Sequence, residues 1–413
     1  MSKKLNKNVP KLRFPEFKGD WEYLKIEDIA SVTSGGTPNR SEPSFWNGNI
    51  PWVTTSEIGQ AEIHGSVEKI TEKGLQNSSA KIFKKDTILL AMYGQGKTRG
   101  QVSILKIEAA TNQACAAIAL KSGFNLQFVY YFLFKEYENL RGLANDGSQK
   151  NLTAGLIKQY KVPVTHINEQ EKIASFLGAV DRRLTQLRRK QELLQTYKRG
   201  VIQKLFSQQI RFTQPDGSPF PDWEEKTLEE VCDITSSKRV YLHDYVKEGI
   251  PFYRGKEITE IKKNIKPVDI LYITEDRYQE FKNKYGVPII GDILITAVGT
   301  LGNVLKIRNN EKFYFKDGNL IWLRKANKNI NVDFLEILLE NSQNQLLKTS
   351  IGSTQKALTI VGLKKISLFF PYLEEQEKIA NFLTAIDRKI EAISSQIDQT
   401  EQLKKGLLQK MFV

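Results

Sequence analysis

Cysteine and histidine are scarce in this sequence of 413 residues, which contains two cysteines and three histidines. Cys115 and Cys232 are too few for a disulfide framework or a cysteine-rich metal site. The histidines, His64, His166 and His243, are scattered along the chain and follow no metal-binding spacing. We therefore expect neither a metal site nor a catalytic triad in this chain.

Long apolar runs are also missing, because no stretch approaches the roughly 20 apolar residues that span a bilayer. Residues 1–10 are basic and polar, and they lack the apolar core of a signal peptide. From these two absences we expect a cytoplasmic protein with no membrane partner.

Positive charge, in contrast, is abundant. Lys and Arg number 61 against 47 Asp and Glu, so the formal net charge is +14. Such an excess favours a polyanionic partner, of which nucleic acid is the most common. Charge alone leaves a second interpretation open, a soluble protein that is basic without binding a polyanion.

The sequence repeats itself at an offset of 206 residues. Segments 167–207 and 373–413 align without gaps, with about 16 of 41 positions identical, and each contains EQEKIA followed by FL and then DR. The match continues upstream, where 148–153 pairs with 354–359. Each half therefore has a variable domain and a conserved segment. The predicted boundaries are 1–165 for the first domain, 166–208 for the central segment, 209–371 for the second domain and 372–413 for the C-terminal segment.

The two conserved segments have the pattern of long helices that pair with each other. Apolar residues recur at spacings of three and four, which is a heptad seam with polar interruptions, and neither segment contains proline. A helix of about 41 residues is roughly 60 Å long, too long to bury its apolar stripe on one small domain. The seam positions predicted to pair the helices are Val180, Leu184, Leu187, Leu194, Ile386, Ile390, Ile393 and Ile397.

Chain direction determines how these helices would pair. The first helix leaves the first domain and leads into the second, so a second helix packed beside it must run back. This predicts an antiparallel coiled coil with a domain at each end and a pseudo-twofold internal repeat. Two separate surface helices, each packed on its own domain, are the alternative.

The variable domains mix strands with helices, so the predicted fold class is α+β: two mixed α/β domains separated by the two long helices. A helix is predicted over 126–141, and its counterpart over 332–347. Apolar runs bounded by turn residues predict strands at 87–92, 114–120, 289–296 and 319–323.

One segment is close to a phosphate-binding loop. Residues 91–98 read AMYGQGKT and depart from that loop at one position, because Ala91 stands where it needs glycine. The residues that follow predict a strand rather than the helix whose amide groups would face a phosphate. We therefore interpret the segment as a tight hairpin that carries Gln95, Lys97 and Arg99 towards DNA.

Catalytic motifs for DNA chemistry are not recognisable. Asp222, Glu224 and Glu225 are too close in sequence to lie on separate strands as nuclease metal ligands do. The Asn-Pro-Pro-aromatic motif of adenine methyltransferases is absent.

Taken together, the two EQEKIA segments and the alternating layout resemble the specificity subunit of type I restriction-modification systems. The resemblance covers nearly the whole chain. Its strongest parts are 169–181 with 375–387, 147–152 with 352–358, and Trp21-Glu22 with Trp223-Glu224.

This resemblance implies a DNA-reading subunit without catalytic activity. Each variable domain would be a target recognition domain for one half of a bipartite, asymmetric site in double-stranded DNA. The helices would space the halves and dock two modification subunits, which methylate adenine, and two restriction subunits can add ATP-dependent translocation and cleavage. S-adenosylmethionine, ATP and Mg are expected on those partner subunits, and no cofactor is expected in this chain.

The same resemblance implies the DNA-binding positions Gly36, Thr37, Trp52, Gln95, Lys97, Arg99, Lys150, Arg254, Lys256, Thr300 and Lys356. Two alternatives stay open. A coiled-coil scaffold without sequence-specific DNA binding is disfavoured by the +14 charge and the two large, divergent domains. A stand-alone DNA methyltransferase is disfavoured by the missing motif.

Overall fold

The computed structural model describes residues 8–94, 97–143, 151–352 and 356–413. The chain divides into two compact units, the first made of residues 1–190 with 393–413 and the second of residues 191–392. Two long helices, α6 (Ile167–Phe206) and α13 (Leu373–Met411), contribute residues to both units.

The first unit contains a five-stranded sheet of order β2-β10-β7-β8-β4, a four-stranded sheet of order β5-β3-β9-β6 and the antiparallel pair β1-β11. The strands are β1 (Glu22–Lys25), β2 (Ala30–Ser34), β3 (Trp46–Val53), β4 (Glu62–Ile63), β5 (Glu68–Ile70), β6 (Ile82–Phe83), β7 (Thr87–Ala91), β8 (Val102–Leu105), β9 (Ala109–Thr111), β10 (Cys115–Leu120) and β11 (Lys161–Val164). Besides α6, its helices are α1 (Ile26–Ile29), α2 (Glu72–Gln76), α3 (Leu126–Lys135), α4 (Tyr137–Gly142) and α5 (Ala154–Gln159).

The second unit contains two four-stranded sheets, of order β13-β20-β17-β18 and β14-β16-β15-β19, and the antiparallel pair β12-β21. The strands are β12 (Glu224–Thr227), β13 (Asp233–Thr235), β14 (Tyr245–Val246), β15 (Ile250–Tyr253), β16 (Leu271–Ile273), β17 (Ile293–Thr296), β18 (Val304–Lys306), β19 (Tyr314–Phe315), β20 (Leu320–Arg324) and β21 (Ser367–Phe370). Its helices, besides α13, are α7 (Leu228–Val231), α8 (Gly255–Lys262), α9 (Glu275–Tyr285), α10 (Val332–Asn341), α11 (Gln343–Lys348) and α12 (Ile360–Lys364).

The internal repeat extends into the sheets. The order β2-β10-β7-β8 in the first unit matches β13-β20-β17-β18 in the second, and every neighbouring pair in both runs is antiparallel. The inner strands β7 and β17 are buried along their whole length, which agrees with their continuous apolar sequences. The helices that follow begin alike, because the Asn125 side chain accepts from Phe128 N and the Asn331 side chain from Phe334 N.

Each domain core is completed by the C-terminal end of a long helix. In the first unit, the ring of Phe412 lies 5.1 Å from Phe128 and 6.2 Å from Trp21, centre to centre. In the second unit, Phe206 at the end of α6 lies 5.8 Å from Phe334 and 6.1 Å from Trp223.

The long helices run antiparallel. In the first unit, Asp181 pairs with Lys404 at 2.7 Å and Arg188 with Glu401 at 2.6 Å, so rising numbers on α6 meet falling numbers on α13. The predicted fold class is therefore confirmed, and the alternative of two separate surface helices is not what the structure shows. No helix in the described ranges is both long and apolar enough to cross a membrane.

The predicted helices over 126–141 and 332–347 are each two helices, which is a correction. The breaks fall at Glu136 and Ser342, where ψ is 10° and 14° instead of a helical value. Neither residue is Gly or Pro, so the sequence carries no signal for them. The strand predicted from 289 begins at Ile293, because a turn at Gly291, with φ of +93°, precedes it.

Candidate nucleic-acid interface

Four strand ends of the first unit lie at one edge of its five-stranded sheet. β2 ends at Ser34 and β7 at Ala91, whereas β8 begins at Val102 and β10 at Cys115. Because neighbouring strands are antiparallel, these four ends share one edge. The described parts of the adjoining loops, 35–42, 92–94, 97–101 and 112–114, form what we call the first loop edge.

Backbone hydrogen bonds tie these loops together. Gly36 N donates to Thr111 O at 2.8 Å, and Met92 N donates to Ala114 O at 2.8 Å. Leu152 N donates to Met92 O at 3.0 Å, which brings the chain after residue 150 to the same edge. Two of the predicted DNA-binding residues, Gln95 and Lys150, lie outside the described residues.

Trp52 and Gly36, which the sequence predicts as DNA-binding residues, are both buried in this structure. The Trp52 residue is 1% exposed, and its Nε1 donates to Gly36 O at 2.9 Å. A Cβ atom added to Gly36 would lie 2.2 Å from Ser79 Oγ. The two residues therefore support the loop from beneath.

Arg40, which the sequence analysis missed, lies over this support. Its guanidinium carbon is 4.0 Å from the ring centre of Trp46 and 5.0 Å from that of Trp52. Both terminal nitrogens donate to the carboxylate of Glu68, and these hydrogen bonds hold the pKa of Glu68 below its usual value. Stacking and ion pairing together orient Arg40 at the surface. An arginine with two tryptophans nearby in the sequence is a common pattern, so it does not single out Arg40 as a DNA-binding residue.

Between β7 and β8, where the sequence predicts a tight hairpin, the structure describes residues 92–94 and 97–101. Lys97 is exposed, and its carbonyl oxygen accepts from the Tyr137 hydroxyl at 2.6 Å. Arg99 and Thr37 are half-buried. The strand expected after Thr98 is β8, so no helix follows this loop.

The second unit has a matching edge, where β13 and β17 end and β18 and β20 begin. Ala297 N donates to Asn319 O at 2.8 Å, and Leu358 N donates to Ala297 O at 2.9 Å. Asn303 Nδ2 donates to Thr259 Oγ1 at 2.9 Å, which brings α8 beside the loop. Loops 236–241, 297–303 and 316–319, with the start of α8, form the second loop edge.

The residues of the second unit that are predicted to bind DNA adjoin this edge, and they differ in exposure and in their hydrogen bonds. Thr300, Lys256 and Lys356 are exposed. Arg254 is half-buried and donates to Glu257, which is 1% exposed, and to Asp269 O at 3.1 Å. Burial alone would raise the pKa of Glu257, but the hydrogen bonds from Arg254 lower it below its usual value. The position of the Arg254 side chain is therefore fixed by hydrogen bonds within the second domain.

The conserved Glu-Gln pairs lie at the junctions between domains and long helices. Glu169 is 1% exposed and accepts from Arg13 Nε at 2.7 Å and Nη2 at 2.8 Å. Glu375 is fully buried and accepts from Arg211 Nη2 at 2.7 Å. Sequence reasoning did not find these arginines, because they precede the first strand of each domain and match at an offset other than 206.

The neighbouring glutamines repeat one hydrogen-bond pattern. Gln170 Oε1 accepts from Asn125 N at 2.9 Å, and Gln376 Oε1 accepts from Asn331 N at 2.9 Å. EQEKIA therefore begins with two buried groups that fasten each long helix to its domain. No group of three or more His, Cys, Asp or Glu side chains in the described ranges could hold a metal ion.

The residues predicted to pair the long helices are all buried or half-buried. Val180 packs against the core of the first unit and Ile390 against that of the second. Those that are buried are Leu184, Leu187, Ile386, Ile393 and Ile397, and those that are half-buried are Val180, Leu194 and Ile390.

Comparisons with known proteins agree with this architecture. The family model described as "Type I restriction modification DNA specificity domain" matches residues 18–195 and 221–402. The MjaVIII specificity subunit of Methanocaldococcus jannaschii is 25% identical over 97% of this chain and 93% of its own length. The MjaIX specificity subunit of the same organism is 28% identical, over 58% of this chain and 59% of its own length.

A solved structure shares the fold. The crystal structure of the type I restriction-modification system S subunit from M. genitalium has a TM-score of 0.58 and 20% sequence identity. The superposition covers 98% of this chain and 99% of that one.

Proposed function

This chain belongs to the type I restriction-modification DNA specificity family, and we propose on that premise that it is the DNA sequence-recognition subunit of a type I complex. Each half would bind one half of a bipartite, asymmetric DNA site. The long helices would space the two halves and dock the modification subunits.

The observation that carries the proposal is a repeated sheet frame with unlike side chains at its loop edge. The strand order β2-β10-β7-β8 recurs as β13-β20-β17-β18. At the first edge Arg40 stacks on Trp46, whereas at the second Arg254 pairs with the buried Glu257. Each base pair presents its own pattern of hydrogen-bond donors and acceptors in the groove, and a protein reads it with complementary side chains. Two domains that read different half-sites can therefore share one sheet frame but need different side chains at the loop edge.

We assign DNA contacts to the groups that adjoin the loop edges. In the first half these are Thr37, Lys97 and Arg99, with Arg40 added from its stacking. The corresponding residues of the second half are Arg254, Lys256, Thr300 and Lys356. Gln95 and Lys150 keep their predicted roles, and Trp52 and Gly36 support the first edge.

The chain itself would be non-catalytic and cytoplasmic. Two modification subunits would transfer the methyl group of S-adenosylmethionine to adenine, and two restriction subunits can supply ATP- and Mg-dependent translocation and cleavage. The proposed boundaries remain 1–165 and 209–371 for the recognition domains, and 166–208 and 372–413 for the helices.

The test is to map methylated adenines in a host that carries this gene together with its modification partner. We expect one bipartite, asymmetric motif whose methylation disappears when this chain is omitted. Methyl transfer by the purified chain alone would identify an enzyme instead. Binding of random DNA without any sequence preference, or no DNA binding, would favour a scaffold.

A further inference from the structure

In the first unit a single carboxylate joins the recognition domain to both long helices. The hydroxyl of Tyr131, on α3, donates to Asp181 Oδ2 on α6 at 2.8 Å. The other oxygen, Asp181 Oδ1, accepts from Lys404 on α13 at 2.7 Å. The Lys404 ammonium also lies 4.8 Å from the ring centre of Phe134 on α3. Three helices therefore meet at one polar contact.

This contact is sheltered from water. Tyr131 is 2% exposed, and the side chains of Lys404 and Asp181 are 15% and 26% exposed. Burial, with the charge of Asp181, raises the pKa of Tyr131, so its hydroxyl stays protonated and remains a donor. Hydrogen bonds are directional, and they are stronger in a sheltered environment than in water.

The second unit keeps the helix pair but loses the link to its domain. At the offset of 206 residues, Asp387 and Lys198 pair at 2.6 Å. Ile337 stands where the first unit has Tyr131, so the hydroxyl that bonds Asp181 has no counterpart at this position. Asp387 is accordingly more exposed than Asp181, at 42%.

The equivalent helix α10 directs its polar groups to its own domain instead. Glu336 accepts from Lys306 N at 3.2 Å and from Arg308 Nη2 at 2.7 Å. Glu340 pairs with Lys262 on α8 at 2.8 Å. These contacts lie within the second domain and do not join it to the long helices.

Several other junction contacts are common to both units, and in the second Gln376 Nε2 also donates to Asn329 O at 3.1 Å. Phe412 packs on Phe128 in the first, and Phe206 packs on Phe334 in the second. The glutamine of each EQEKIA segment bonds to the first turn of α3 or α10 in the same way. Apolar packing is non-directional, so the hydroxyl of Tyr131 adds one directional restraint to the first junction that the second does not have.

We propose that Tyr131, Asp181 and Lys404 form a positioning clamp that fixes the orientation of the first recognition domain on the long helices. The clamp rests on the proposed function, because orientation matters only if each domain must meet its own half-site. A fixed first reader would make affinity fall steeply when the gap between half-sites changes, since one base pair rotates a half-site by roughly 35°.

The test compares gap profiles for the assembled complex. Tyr131→Phe removes one hydroxyl and keeps both the ring and the Asp181–Lys404 pair. Affinity is measured for DNAs whose gap differs by one base pair in either direction from that of the mapped site. We expect the preference for the natural gap to fall at least threefold, with the thermal midpoint nearly unchanged. Tyr130→Phe is the matched control, because it removes a hydroxyl from the adjacent buried ring, and its profile should equal that of the unmodified chain.

Two further variants keep the test decisive. Lys404→Met retains the apolar stem but removes the second arm of the clamp, and it should broaden the profile as well. Ile337→Tyr offers a hydroxyl to Asp387 and should sharpen the profile. An unchanged preference in Tyr131→Phe, or an affinity loss by one factor at every gap, would overturn the clamp. Absence of any methylated motif with the unmodified chain would instead overturn the proposed function.

Discussion

The junctions between domains and long helices share a buried glutamate–arginine pair in the two halves, whereas the loop edges share only their topology. At both junctions a buried glutamate is paired with an arginine, Glu169 with Arg13 and Glu375 with Arg211. At the edges the first half has an arginine stacked on tryptophan, and the second has arginine and lysine at the start of a helix.

The physical cause of this difference is burial. A buried polar group must have its partner, so a change at one junction residue leaves another group unsatisfied. Exposed edge groups have water as an alternative partner and can change independently. The comparison indicates that divergence between the halves is concentrated where bases would be read.

The largest expected effect comes from breaking a junction. Arg13→Ala leaves the carboxylate of Glu169 buried without its cation, which costs about 3–5 kcal/mol. The measurement is the free energy of opening from hydrogen exchange of the α6 amides near residue 169. Lys172→Ala is the control, because it removes an exposed pair with Glu16 and should change the free energy of opening far less. Equal costs for the two variants would contradict the junction account.

Helix pairing should be the next most sensitive. Leu187 is 3% exposed, so Leu187→Lys forces an ammonium into an apolar seam, at about 2–3 kcal/mol if the lysine stem reaches water. Binding of the modification subunit should weaken in parallel. Leu193, 52% exposed on the same helix, provides the control Leu193→Lys. A thermal midpoint as high for Leu187→Lys as for Leu193→Lys would argue against the pairing.

A smaller effect is expected where the first loop edge is supported. Gly36→Ala places a Cβ 2.2 Å from Ser79 Oγ and must displace the loop. We expect affinity for the first half-site to fall about tenfold, which is about 1.4 kcal/mol, with the second half-site unaffected. Gly65→Ala is the control, since a Cβ at Gly65 meets nothing within 4 Å. The measurement is binding to DNAs altered in one half-site at a time, and equal losses for the two half-sites would contradict the assignment.

The smallest effects should come from single exposed cations. If Lys97 and Lys356 each contact a phosphate, replacing either by alanine should lower the salt dependence of log affinity by about 0.9. Lys18, exposed and outside both loop edges, should leave that slope unchanged when it is replaced. If none of the three substitutions changes the salt dependence of log affinity, Lys97 and Lys356 do not contact phosphates.

The fold was predictable where patterns are long and repeated. The heptads and the EQEKIA repeat led to two long antiparallel helices, which the structure shows as Ile167–Phe206 and Leu373–Met411. The breaks at Glu136 and Ser342 were not predictable, because ordinary residues occupy both positions.

The site was predictable only in part. The position of the β7–β8 loop followed from its flanking strands, but side-chain exposure did not. The sequence predicts Trp52 as a DNA contact, whereas in the structure its indole is buried and Nε1 donates to Gly36 O. Arg40 and Arg13 act through partners that lie 28 and 156 residues away, and a single sequence does not reveal such contacts.

The central claim is that the two halves read DNA independently, and exchanging one reader tests it most directly. Residues 22–145 are replaced by the matching segment of a related specificity subunit, and methylated adenines are mapped in the host. We expect one half of the motif to change while the other half and the gap stay the same. A simultaneous change in both halves of the motif would contradict it.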